Sequence, residues 1–339
     1  MKNTTLLTGI SGYIGLHCAK ELLDAGYSVR GSIRDQVKSQ EVLDTLAAAS
    51  VNTKNLTLIK LDLTSDHGWD EAAAGCEFVM HVASPFIMAN PKEPKDLISP
   101  AVDGTLRALR AAKKAGVKRL VLTSSIFSMM GSMKTGTFNP SDWTDVDAPD
   151  INTYTKSKTL AEKAAWDFIS EQTEDVPMEL TVIAPGGVFG PPLGRNVSGQ
   201  SMSMLVQMLG GKMPMVPKTA FPMVDVRDVA KLHVQALALP KTAGKRIIAA
   251  SSEPSGFQSA AQFLKDEGYN GPSTRIAPNF LLRLLANFDR EVKGMLGILG
   301  MHLGSDNSQT QDLFNWTPIT FKQSVLETAA AVKAIQDHK

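Results

Sequence analysis

Apolar residues in this 339-residue chain gather in short runs, separated by stretches where they recur every three or four positions. The runs predict strands near 4–8, 28–33, 56–61, 77–82, 119–124 and 179–184, and the stretches between them predict amphipathic helices. Strands that are apolar throughout, rather than alternating with polar residues, suit a parallel sheet covered on both faces. A later run at 246–250 follows a helical stretch at 229–239 and is expected to return to that sheet. The stretch 190–223 has a different character. It carries methionines at 202, 204, 208, 213 and 215, prolines at 191, 192, 214 and 217, and little strand pattern, so it reads as a loop-and-helix insertion over a pocket. Beyond 251 the rhythm is helical again, over 280–301 and 321–335.

Composition narrows the class. Hydrophobic content of 43% and charged content of 20% are those of an ordinary globular chain, and a formal net charge of +1 offers no field for a nucleic acid or a membrane surface. Thr8, Gly9, Ser11 and Gly12 interrupt Leu6 and Leu7 at once, and no apolar stretch reaches spanning length, so neither a secretory segment nor a membrane span is expected. Cys18 and Cys76 make no disulfide framework, and His17, His67, His233 and His302 share no ligand spacing; no metal is expected, and a cytoplasmic location fits.

The first strand runs into Gly9, Gly12 and Gly15, and helical periodicity resumes at once through Leu16, Cys18, Ala19, Leu22 and Leu23. Glycines at that spacing permit a tight turn, a bare backbone beside a pyrophosphate and close packing of the new helix, whose N-terminus favours the anion. Gly9, Gly12, Tyr13, Ile14 and Gly15 are thus the expected cofactor contacts of the turn. The expected fold is α/β, a Rossmann-type doubly wound parallel sheet with a smaller, mostly helical C-terminal substrate lobe. Residues 1–189, with 224–250 returning to them, form the dinucleotide-binding part; 190–223 and 251–339 form the substrate lobe.

Tyr154 and Lys158 stand four residues apart at the start of a predicted helix and therefore share one face. An ammonium there is expected to lower the phenol pKa from about 10 and make Tyr154 an acid for a carbonyl oxygen. The apolar strand at 120–123 ends in Ser124 and Ser125, and ligands of open parallel sheets bind beyond such strand ends. Ser125 is the expected orienting hydroxyl, whereas Ser124 and Ser128 read as turn formers.

Together with His81-Val82-Ala83-Ser84-Pro85, Pro185-Gly186-Gly187-Val188-Phe189-Gly190-Pro191 and Val224-Asp225-Val226-Arg227-Asp228-Val229-Ala230, these motifs resemble the extended short-chain dehydrogenases/reductases. Within that superfamily the chain is most similar to the branch of dihydroflavonol reductases, cinnamoyl-CoA reductases and microbial aldehyde and ketone reductases. The resemblance implies a catalytic triad of Ser125, Tyr154 and Lys158, with Lys158 also on the nicotinamide ribose. It implies Asp62 and Leu63 near adenine, Val82, Ala83 and Ser84 with Thr123 lining the cofactor, Pro185 and Val188 by the nicotinamide, and Ser201 on the phosphates. Where relatives often carry a fourth, asparagine member of the relay, this chain reads Pro100-Ala101-Val102, leaving three residues. The aromatic motif of cinnamoyl-CoA reductases is replaced by Ile151-Asn152-Thr153, and Met130 stands where dihydroflavonol reductases carry a ring-reading asparagine.

The second strand ends at Ile33 with Arg34 directly after it, not with the acidic residue that holds the ribose hydroxyls of NAD. Arg34 can fork onto a 2′-phosphate, Ser32 can donate to it, Lys38 can assist, and Asp35 is expected to point to solvent. The expected cofactor is NADP(H). The expected reaction is reversible reduction of aldehydes and ketones in a crevice against Phe86, Ile126, Met130 and the methionine-rich segment from Met202, by a monomer or homodimer whose partner is a small-molecule substrate. Methionines adapt to varied apolar shapes, though they equally serve to fill a core. Two alternatives stay open. One is an NAD-dependent sugar-nucleotide epimerase/dehydratase or hydroxysteroid dehydrogenase, and the other a dinucleotide-sensing regulatory protein.

Overall fold

The computed structural model describes residues 3–85, 91–195 and 199–337. Its strands are β1 (Thr4–Thr8), β2 (Ser28–Ile33), β3 (Leu56–Lys60), β4 (Phe78–His81), β5 (Arg119–Thr123), β6 (Thr135–Phe138), β7 (Glu179–Pro185), β8 (Gly187–Phe189), β9 (Phe221–Asp225), β10 (Arg246–Ala249), β11 (Pro254–Ser255) and β12 (His302–Ser305). The helices that matter below are α1 (Tyr13–Asp24), α2 (Lys38–Ala48), α3 (Trp69–Ala73), α4 (Lys95–Lys114), α5 (Phe127–Met130), α6 (Thr153–Ser170), α7 (Gln200–Leu209), α8 (Val226–Ala238), α9 (Phe257–Asp266), α10 (Asn279–Leu285), α11 (Arg290–Met295), α12 (Ser308–Phe314) and α13 (Phe321–Asp337).

Seven strands form one parallel sheet in the order β10-β7-β5-β4-β1-β2-β3, a Rossmann-type arrangement whose strand order reverses beside β1. Side chains alternate between its faces, so neighbours in sequence enter different cores. Leu7, Met80, Val121 and Ile183 pack with α1, α2 and α8, whereas Leu6, Val79, Leu120, Leu122 and Val182 pack with α3, α4 and α6. This double burial is why the strands read as apolar throughout. β10 pairs with β7 from Arg246 to Ala249, returning the chain to the sheet after α8.

A third apolar cluster lies beyond the strand ends and joins α5, α7, α9, α13 and β9. The helical rhythm of 280–301 is realised as α10, α11 and a 3-10 turn at Leu296–Ile298. The Asp289 carboxylate accepts the Val292 N–H at 3.2 Å, a cap that starts the second piece afresh. The short strands β6, β8, β9, β11 and β12 form two small sheets whose members are too brief to show in the hydrophobic pattern. Among the described residues no helix is long and apolar enough to cross a membrane.

Candidate active site

The first turn of the chain is built to leave backbone bare. Gly9 has φ +73°, and a Cβ there would stand 2.9 Å from the Ala83 Cα, so both its conformation and the approach of the β4 end demand glycine. A Cβ on Gly15 would come within 2.1 Å of the Gly9 carbonyl oxygen, which shows how closely α1 packs on the turn. Gly12 is different, because an added Cβ would meet only the Gly9 oxygen, at 3.3 Å. Protein packing alone demands little of that position, so its bareness suits a ligand approaching from outside. No side chain caps α1 and no acidic residue occupies its first turn, which leaves its N-terminal N–H groups and dipole to an anion. The residues present therefore fit a dinucleotide pyrophosphate. Ile14 is partly exposed beside this turn. Tyr13 donates to the Gly190 carbonyl at 2.6 Å and meets His17 edge to face, and the His17 ring lies 3.1 Å from the Pro191 carbonyl. Tyr13 thus ties α1 to the strand following β7.

At the adenosine end Arg34 and Lys38 are exposed at and beyond the end of β2. Asp35 is exposed and its carboxylate accepts the Val37 N–H at 3.0 Å. Ser32 is buried, and its hydroxyl accepts the Gly9 N–H at 3.1 Å, so it braces the glycine turn. Asp62 accepts the N–H and hydroxyl of Thr64, which hold its carboxyl below the usual range, with Arg34 adding a smaller effect of the same sign. Leu63 packs against Gly104 of α4.

The catalytic candidates converge at the ends of β4, β5 and β7. Beyond Thr123 the chain stays tied to β7, with Ser124 N donating to Ile183 O at 2.7 Å and Ile126 N to Pro185 O at 3.0 Å. The Ser125 hydroxyl accepts the Phe127 N–H at 3.3 Å and acts on the Tyr154 phenol, favouring its ionised form. Tyr154 sits in the first turn of α6, where the Asn152 side chain caps the helix by accepting the Thr155 N–H at 2.8 Å. One turn on, the Lys158 ammonium donates to the Thr123 carbonyl at 3.1 Å.

Thr123, expected among the cofactor contacts, is a buried support instead. His233 donates through Nδ1 to the Val229 carbonyl at 2.8 Å, so its Nε2 must accept, and the Thr123 hydroxyl donates to it at 2.7 Å. The electrostatics also correct the expectation for the phenol. Burial pushes Tyr154 up to about 12, with only the Ser125 hydrogen bond acting downward. Desolvation outweighs any help from the ammonium. Burial likewise pulls Lys158 down to about 8, against the charge of Glu162, which favours the ammonium.

Val82, Ala83 and Ser84 follow β4 partly exposed, with Ala83 N donating to Thr8 Oγ1 at 3.1 Å; that oxygen lies 2.9 Å from Nδ1 of the buried His81. Pro185 is buried at the end of β7 and Val188 is partly exposed in β8. Ser201 lies in the first turn of α7.

On the substrate side, Phe86 lies outside the described residues. Ile126 and Met130 have no exposed surface and belong to the core of the second lobe, and Met202 is equally enclosed at 1%. They fill space rather than line a crevice, since Ile126, Ser128, Met129 and Met130 are all buried and Phe127 alone among residues 126–130 is partly exposed. The residue that faces the phenol is Phe127, whose ring centroid lies 6.2 Å from that of Tyr154 and 5.6 Å from that of Phe221. Its sequence signal was its place one residue after Ile126 in the same turn. The methionines divide between the two roles, since Met208 is buried in the core while Met213 and Met215 line a cavity of about 190 Å³ with Leu282, Val292, Met295 and Leu299. That cavity adjoins the catalytic helix through Asn152, whose amide donates to the carbonyl of Gly294, beside Met295, at 3.1 Å. Among the described residues no group of histidine, cysteine and carboxylate side chains could hold a metal ion.

The model of the NAD dependent epimerase/dehydratase family matches residues 5–250. The NADPH-dependent methylglyoxal reductase GRE2 of Saccharomyces cerevisiae is 31% identical over 264 residues, covering 72% of this chain and 77% of that protein. Cinnamoyl-CoA reductase CAD2 of Medicago truncatula is 35% identical over 254 residues, covering 73% of this chain and 76% of its own length. The crystal structure of Gre2 in complex with NADPH from Candida albicans is similar with a TM-score of 0.80 at 25% identity, covering all of both chains.

Proposed function

Because the chain belongs to the NAD dependent epimerase/dehydratase family, we propose that it is an NADPH-dependent reductase of aldehydes and ketones with Ser125, Tyr154 and Lys158 as catalytic residues. One observation carries the reading. Ser125 acts on the Tyr154 phenol, favouring its ionised form, while the Lys158 ammonium is pinned one helical turn away, all beyond the strand ends that flank the glycine turn. The choice of NADPH is supported by a relative of 31% identity that is NADPH-dependent by name, and by an exposed Arg34 where an NAD enzyme of this design carries an acid. NADPH, when bound, supplies a hydride to the carbonyl carbon. Gly9, Gly12, Gly15 and the α1 N-terminus would hold its pyrophosphate and Arg34 its 2′-phosphate.

The side chains do the rest. Burial keeps the Tyr154 phenol protonated near pH 7, so its proton is in place to pass to the carbonyl oxygen. Ser125, beside that phenol, orients the same oxygen and donates to it as negative charge develops. Lys158 titrates at about 8 and is therefore mostly cationic near neutrality, where its charge favours loss of the phenolic proton. Phe127, Phe221 and the methionine-lined cavity suit medium-sized apolar carbonyl compounds, bound with loose selectivity. We place the enzyme in the cytoplasm, in keeping with two buried thiols, Cys18 and Cys76, that form no disulfide.

The test is NADPH consumption across a panel of aldehydes and ketones, with NADH in parallel. Tyr154→Phe is expected to lower kcat by about 10²–10⁴-fold while NADPH still binds. Turnover of that variant within a few-fold of the parent protein would end the reading.

A further inference from the structure

Beneath the catalytic side chains lies a buried ionic network that the reduction as described does not use. Glu162 follows Lys158 by one helical turn on α6, and its side chain has no exposed surface. One carboxylate oxygen accepts Arg246 Nε at 2.5 Å. The other accepts the hydroxyls of Ser124 and, at 2.6 Å, Ser128. Arg246, reaching in from the start of β10, donates further to the carbonyls of Pro140 and Asp142 at 2.7 and 2.6 Å and stacks over Trp143 at 3.7 Å. A carboxylate buried to this degree is costly unless paired, and this one is fully occupied.

The positions of its partners matter. Ser124 and Ser128 bracket Ser125, and Ser128 Oγ also lies 2.8 Å from the Ser125 carbonyl. The carboxylate therefore clamps both sides of the turn that presents Ser125 to Tyr154. It also shares a small polar pocket with the Lys158 ammonium, lined in addition by His81, Thr105 and Thr123. Among the described residues, the other titratable groups facing that ammonium are held uncharged, and Ser84 and Ser124 add only hydroxyls. His81 from β4 and His233 behind Thr123 are held uncharged, their pKa values pushed by burial to about 3 and about 4. Tyr154 on the same helix is kept neutral by burial, α4 contributes the Thr105 hydroxyl, β5 contributes Thr123, and Arg246 lies on the far side of the carboxylate.

We propose that Glu162 is a positioning residue for carbonyl reduction, fastening the turn that aims Ser125 and supplying the negative charge that keeps Lys158 protonated while Tyr154 donates. The proposal rests on the reductase reading above. Arg246 is the counterion that makes a buried Glu162 tolerable, and Ser124 and Ser128, which look like ordinary turn formers in the sequence, are the arms of the clamp.

Three variants test it: Glu162→Gln, Glu162→Asp, and Glu162→Gln combined with Arg246→Met, which removes the stranded cation should the single change fail to fold. The two Gln-bearing proteins should move the alkaline limb of kcat/KM for carbonyl reduction about one unit toward lower pH. Glu162→Asp, which keeps the charge but withdraws it from the serines, should leave that limb in place and lower kcat by about 10- to 100-fold, with NADPH affinity nearly unchanged. Independently of turnover, carbon–proton correlation spectra of the lysine-labelled free protein, with Lys158 assigned by Lys158→Met, should show its titration shifted downward in the Gln-bearing proteins. An unmoved Lys158 titration, or parental kcat in Glu162→Asp, would overturn the proposal. If the parent protein reduced no carbonyl compound at all, the reductase reading would fall, while the Lys158 titration would still judge the charge effect of Glu162.

Discussion

Replacing Lys158 by methionine should make the free protein more stable near neutral pH even as it destroys the proposed activity. The ammonium is buried and titrates at about 8 in place of its ordinary 10.5. Folding therefore carries a penalty for the charged form, about 3 kcal/mol at pH 7. The direction follows from proton counts. Between about pH 8 and 10.5 the unfolded chain holds the proton and the folded one does not, so the penalty fades as pH rises and is gone above the unfolded pKa. At pH 10 the same relation leaves about 1 kcal/mol, a change of about 2 kcal/mol across the interval.

Methionine also leaves the Thr123 carbonyl without its donor, at a cost of about 1–3 kcal/mol that does not vary with pH. The net gain at pH 7 is thus about 0–2 kcal/mol, whereas at pH 10 the variant should be the less stable protein by up to about 2 kcal/mol. Equilibrium urea unfolding of both proteins at the two pH values measures the difference, and the pH-dependent part isolates the ammonium from the lost hydrogen bond. A stability difference that is the same at both pH values would refute the buried-cation account.

Other perturbations follow from the same geometry. Arg34→Ala should raise KM for NADPH by about 10-fold or more and leave NADH kinetics unchanged, read from parallel initial rates; equal effects on both cofactors would remove the 2′-phosphate role. Asn152→Ala removes both the α6 cap and the bond to the Gly294 carbonyl, and should cost about 1–2 kcal/mol in urea unfolding while raising KM for larger carbonyl substrates. Gly15→Ala, with its Cβ forced to within 2.1 Å of the Gly9 oxygen, should abolish NADPH binding in fluorescence titrations; retained affinity would mean that the turn can relax without loss of the site.

The placement of the seven sheet strands was legible because most are local runs of apolar side chains whose two covered faces leave little polar alternation, although β2 and β3 carry Ser28, Arg30, Thr57 and Lys60. The glycine turn, Ser125, Tyr154 and Lys158 were legible because their spacing along one strand end and one helix turn already implies proximity. Phe127 was hidden behind its neighbours Ile126 and Met130, since nothing in a four-residue helix declares which apolar side chain turns inward. The helical rhythm at 280–301 did not show where one helix ends and the next begins, because the cap at Asp289 interrupts it without disturbing its composition.

What the chain determines by itself is the alternation of strand and helix, the bare turn and the phenol–ammonium spacing, all set by residues within a few positions of one another. Only the tertiary structure decides the protonation behaviour of that pair, because desolvation depends on what packs around the hydroxyl and the ammonium from β4, β5 and α4. It alone joins Glu162 to Arg246, 84 residues apart, through the return of β10 to the sheet. It alone joins the Thr123 hydroxyl to His233 and the Ser32 hydroxyl to the Gly9 N–H, since a hydroxyl bonds the nearest partner that folding provides.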